Sequence, residues 1–70
     1  MPQFLVNRQA QPNGDHEVHT LPCPYPPAPE NRIDLGWHTT CHEAVAAAKR
    51  AFPGNRINGC YYCSNACHTT

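Results

Sequence analysis

The chain has 70 residues, five of them cysteine and five histidine, and its five basic and five acidic side chains cancel to a formal charge of zero. A chain of this size buries only about 60% of its unfolded surface, and one core supplies about 3–5 kcal/mol, so a fold held by hydrophobic burial alone is disfavoured against a stapled one. Arg8, Arg32, Lys49, Arg50 and Arg56 are dispersed, which argues against a nucleic-acid-binding stripe, and no apolar run approaches the roughly 18 residues of a membrane span.

Phe4 and Val6 give the segment from Gln3 to Arg8 the character of a strand. Gln11-Pro12-Asn13-Gly14-Asp15 is a turn signal leading into His16-Glu17-Val18-His19, so the opening predicts a β-hairpin. Pro22 to Pro29 is too rich in proline for a helix and reads as extended, polyproline-like chain. Asn31 to Gly36 alternates apolar and polar residues and predicts a third short strand. Thr40-Cys41-His42-Glu43 has the form of a capping box and opens an amphipathic helix over about 40–52. Cys41, Ala44, Val45, Ala48 and Phe52 form its apolar stripe, and Pro53-Gly54-Asn55 ends it. The segment from Cys60 to His68 reads as a tight cysteine knuckle followed by a short helical turn, with positions 60, 63 and 67 on one face. The expected fold class is α+β, in a single domain over 1–70 stapled by a metal ion.

Five cysteines is an odd count, and Met1 to Ala10 shows neither the basic nor the apolar region of an export signal. The expectation is a cytoplasmic chain with reduced thiols, in which cysteine pairs are metal ligands or redox groups rather than structural bridges. Cys60-x2-Cys63 is the stronger half-site: the two-residue spacing lets both thiolates curl around one ion, and Gly59 permits close backbone approach. His19-x3-Cys23 is the second half, its ligands meeting through a turn at Pro22. Two thiolate- and imidazole-bearing pairs are the donor set of a closed, tetrahedral zinc site, so zinc is the expected cofactor and His19, Cys23, Cys60 and Cys63 its ligands.

His16 competes with His19, but residues three apart on a strand face opposite ways, which favours His19. Cys41, Cys67 and His68, with His16, are the substitute ligands; Cys41 and Cys67 are also a candidate redox pair, and Cys41 can equally be a buried, inert thiol. The spacing of His16 and His19 does not match the helical pair of a metalloprotease, and Cys63 to His68 is one residue too long for a haem-attachment motif. Neither enzyme-type motif is adopted.

Gly14-Asp15-His16-Glu17-Val18-His19, Cys23, Pro29-Glu30-Asn31-Arg32-Ile33, Leu35-Gly36, Cys41 with Ala44-Val45 and Lys49, and Asn58-Gly59-Cys60-Tyr61-Tyr62-Cys63 with Cys67-His68 span most of the chain. In these the sequence resembles a small family of bacterial His/Cys-rich proteins of about this length, which implies a self-standing domain and carries no activity with it. More loosely, His19, Cys23, Glu43-Ala44, Cys60 and Cys63 are similar to Ada-like zinc-binding modules. In the Ada DNA-repair protein a zinc thiolate accepts a methyl group from phosphotriesters; here His19 stands where that pattern has a first cysteine.

With four protein ligands and no paired general base, the sequence points to a non-catalytic interaction domain and not an enzyme. The alternatives are a thiol-redox or zinc-release sensor using Cys41 and Cys67, and an Ada-like nucleic-acid-associated module. The expected partner is a protein of open identity, met by a monomer through the aromatic surface of Trp37 and the Tyr25 proline segment. Nucleic acid and membrane are not expected partners.

Overall fold

Asn13 and Gly14 do what the turn signal requires: Gly14 takes the left-handed conformation, at φ 92°, and the Asn13 side chain accepts from the Asp15 amide at 2.9 Å. The hairpin they close pairs β1 (Gln3–Asn7) with β2 (Asp15–Thr20) antiparallel, Leu5 opposite His19 and Val6 opposite Val18. A computed structural model describes residues 2–24 and 26–69; the expected role of Tyr25 lies outside them. The proline segment enters a 3-10 turn at Pro29–Asn31, so its extended character ends one residue earlier than its composition suggests, with Pro29 tolerated where a helical start has no amide to satisfy.

The third expected strand is present as β3 (Arg32–Trp37), antiparallel to β1. Its register shifts between Phe4 and Leu5, opposite Gly36, which adopts φ 83°. The expected helix is α1 (Cys41–Ala51). Thr40 caps it, its Oγ1 accepting from the Glu43 amide at 3.4 Å, but Glu43 Oε1 accepts from the Thr39 amide at 3.2 Å instead of from Thr40. The capping box is therefore shifted outward by one residue at its return bond.

A fourth strand, β4 (Arg56–Gly59), was not expected from the sequence. Arg56-Ile57-Asn58-Gly59 has one large apolar residue and too little length to show an alternating pattern; it becomes a strand because α1 carries the chain back alongside β2, with which it pairs in parallel. Strand order is β3-β1-β2-β4.

Pleat parity divides the sheet. Phe4, Val6 and Val18 meet Ala44 and Ala48 of α1 in the core, with Ile33, Leu35, Cys41, Val45, Phe52 and Ile57 packed round them. The small alanines let α1 approach closely. The intervening residues of β1 and β2 turn the other way, and among them Leu5, Asp15 and His19 are buried as well. On that second face the site is built.

Candidate metal centre

His19, Cys23, Cys60 and Cys63 each offer a ligand atom lying within 4.8 Å of the other three. Cys23 Sγ is 3.8 Å from Cys60 Sγ, and Cys63 Sγ is 3.7 Å from His19 Nδ1. A tetrahedron with metal–sulfur bonds of about 2.3 Å and metal–nitrogen bonds of about 2.0–2.1 Å has S···S edges of about 3.8 Å and S···N edges of about 3.6 Å. The four groups are thus positioned to bind a metal ion.

Local structure explains the convergence. Parity sends Val18 to the helix side and His19 to the opposite one, against Leu5. After β2 the chain turns at once, the Cys23 amide donating to the Thr20 carbonyl at 3.1 Å, which folds Cys23 back over the strand end. Parallel pairing of β4 with β2 continues one bond beyond the strand, from the Cys60 amide to the Val18 carbonyl at 2.9 Å, and so delivers Cys60 beside His19. The knuckle closes when the Ser64 amide donates to the Cys60 carbonyl at 2.9 Å.

Backbone amides also point at the sulfurs. The Tyr62 and Cys63 amides donate to Cys60 sulfur, and the Thr20 amide to Cys63 Sγ at 3.4 Å. Donors aimed at sulfur favour the thiolate, the form that ligates metal. Burial opposes them: it is the larger influence on Cys60 and pushes its thiol up, and it holds the His19 imidazole low, favouring the neutral ring that a ligand must be. A cation placed among these groups would offset the cost that burial sets on ionising the sulfurs.

Glu17 completes the site, and the sequence reading missed it. Its Oε1 lies 3.7 Å from His19 Nε2, the ring nitrogen turned away from Cys63. Burial raises its carboxyl above the ordinary range, partly offset by His68 and by a hydrogen bond with the Gln11 side chain. The available signal was spacing: Glu17 is two residues before His19, hence on the same face of β2. Gln11, Glu17, Cys60, Tyr61, Tyr62 and His68 line a cleft of ≈480 Å3 along this flank.

The remaining candidates lie elsewhere. His16 faces away, its Nδ1 3.0 Å from the Asn7 carbonyl oxygen. His68 Nδ1 is 3.0 Å from the Gly59 carbonyl oxygen, and its ring stands edge-on to Tyr61 at 5.4 Å between centroids. Cys67 does not share a face with Cys60 and Cys63: Ser64, at φ −138° and ψ 44°, breaks the turn, and the short 3-10 turn Asn65–Cys67 carries Cys67 to α1, where it is disulfide-bonded to Cys41. Cys41 is therefore neither a ligand of the four-residue cluster nor an inert free thiol. Gly59 makes this crossing possible, since a Cβ there would lie 2.6 Å from the Ser64 carbonyl oxygen and 2.7 Å from Cys67 Cβ.

Comparisons with protein-family models, curated proteins and solved structures gave no match. Among the described residues no helix is long and apolar enough to cross a membrane.

Proposed function

We propose that the chain is a non-catalytic interaction domain whose fold is stapled by one zinc ion on His19, Cys23, Cys60 and Cys63. The observation that carries this reading is the meeting of three sulfurs and one imidazole nitrogen, drawn from β2 and two turns, within 4.8 Å of one another, with the Cys23–Cys60 and Cys63–His19 pairs at 3.8 and 3.7 Å, close to the edges of a zinc tetrahedron. Soft donors select zinc over calcium or magnesium. Four protein ligands leave no open coordination position, which is the mark of a structural rather than a catalytic ion.

The binding surface is aromatic. Trp37, 63% exposed at the end of the edge strand β3, does not contribute to the core, and Tyr61 and Tyr62 project from the knuckle itself. Aromatic side chains contribute contact area at little rotamer cost, which suits a protein partner; the dispersed cations give a nucleic-acid partner no comparable support. The reading is completed by a monomeric chain in the cytoplasm, where Cys23, Cys60 and Cys63 stay reduced and keep zinc bound.

Elemental analysis of the native protein, with circular dichroism before and after a strong chelator, tests it. One zinc per chain and loss of structure on chelation are expected, because structural zinc contributes on the order of 10 kcal/mol to domains of this kind. Unchanged dichroism in the metal-free protein would show that no ion staples the fold.

The disulfide between Cys41 and Cys67 favours a second reading, a thiol-redox or zinc-release sensor. Mild peroxide separates the two: a sensor releases zinc as Cys23, Cys60 or Cys63 oxidises, whereas a structural site retains it.

A further inference from the structure

Cys41 is the first residue of α1 and Cys67 the last of the C-terminal 3-10 turn, and their disulfide joins positions 26 apart with Cα atoms 6.2 Å from one another. A structural bridge would account for the two sulfurs. It does not account for His42, which follows Cys41 and offers a ring nitrogen, with all three ligand atoms within 4.8 Å of one another. His42 is exposed, and its ring has no hydrogen-bonding or ionic partner among the described residues. Beside the group runs a groove of ≈350 Å3, lined in part by His42, Val45, Lys49, Ala66 and Cys67.

We propose that Cys41, His42 and Cys67 are a second, redox-gated metal site, closed in the disulfide form and able to take a thiophilic divalent cation, Zn2+ for instance, once the disulfide is reduced. A dithiol reductant supplies two electrons and two protons: the Cys41–Cys67 bond breaks, two thiols form, and the reductant leaves as its own disulfide. Sulfurs no longer bonded must separate to about van der Waals distance, close to the S···S edge of about 3.8 Å that a zinc tetrahedron requires. Zn2+ then binds both sulfurs and the neutral imidazole, and the two thiol protons pass to solvent. Two sulfurs and one nitrogen leave the fourth position to water or an added ligand.

This site shares no residue with the four-ligand centre, so the experiment reads a difference between two states of one protein. Protein carrying the disulfide and protein reduced with dithiothreitol, then freed of it under argon, are each titrated with Co2+ and with Zn2+. The reduced form is expected to bind one ion per chain more than the oxidised form, with added thiolate-to-cobalt charge-transfer absorption. His42→Ala, at an exposed position, should weaken that extra ion at least tenfold in the reduced form and change nothing in the oxidised form. The double variant Cys41→Ser, Cys67→Ser should bind the same number under both conditions. Equal counts for the two redox forms of the native chain overturn the proposal, as does an extra ion that His42→Ala leaves equally tight. Should the four-ligand centre hold no ion, the oxidised count falls to zero while the difference of one remains.

Discussion

Glu17 and His19 stand on the same face of β2 with Oε1 of one 3.7 Å from Nε2 of the other, while His19 Nδ1 faces Cys63. A carboxylate beside the far nitrogen of a ligating imidazole favours a proton there and leaves the near lone pair for the metal. Glu17→Ala is expected to weaken metal binding about 10–100-fold, measured by competition with a chromophoric chelator, with Glu17→Gln losing less because its amide oxygen still accepts. Affinity unchanged in both variants would leave Glu17 without an orienting role.

The two histidines of β2 should behave in opposite ways. His19→Ala removes one of four clustered ligand atoms and is expected to lose tight metal binding. His16→Ala removes only the contact with the Asn7 carbonyl, so metal stoichiometry should be unchanged and stability lowered by about 1 kcal/mol. Metal analysis and denaturant titration of both variants decide the contrast, and metal loss in the His16 variant alone would reverse the assignment.

Gly59→Ala tests the close crossing of β4 by the C-terminal turn. The added methyl meets the Ser64 carbonyl and Cys67, both backbone-anchored, so the turn must lift away. Overpacking of this kind costs about 1–3 kcal/mol, and a domain of this size loses about 4–8 °C of Tm per kcal/mol. An unchanged melting temperature would mean that the turn moves freely.

Acid should destabilise the domain through His19. Burial places its folded pKa below the unfolded value of about 6.5. As pH falls through that value the unfolded chain takes up a proton that the folded site refuses, so stability is complete above it and is lost progressively toward the folded pKa. Metal at Nδ1 competes with protons and acts in the same direction. Denaturant midpoints between about pH 7.5 and pH 5.5 should therefore fall with acidity; a flat profile would argue against a buried, neutral His19.

What the sequence by itself determined was local. The Asn13-Gly14 turn, the apolar residues of β1, the Thr40 cap and the stripe through Ala44 and Ala48 act over a few residues, and the hairpin, α1 and β3 appear where those signals put them. The two half-sites were legible for the same reason, since ligand spacing in a knuckle is a short-range property, and strand parity was enough to prefer His19 over His16. Tertiary structure decided what depends on distant pairing. β4 exists only because α1 returns the chain beside β2, and that parallel register sets Cys60 next to His19, 41 positions away in sequence. Glu17 gains its place from the burial of that same face. The Cys41–Cys67 bond, and His42 beside it, depend on Ser64 breaking the knuckle and on Gly59 having no side chain to hold the turn off the sheet.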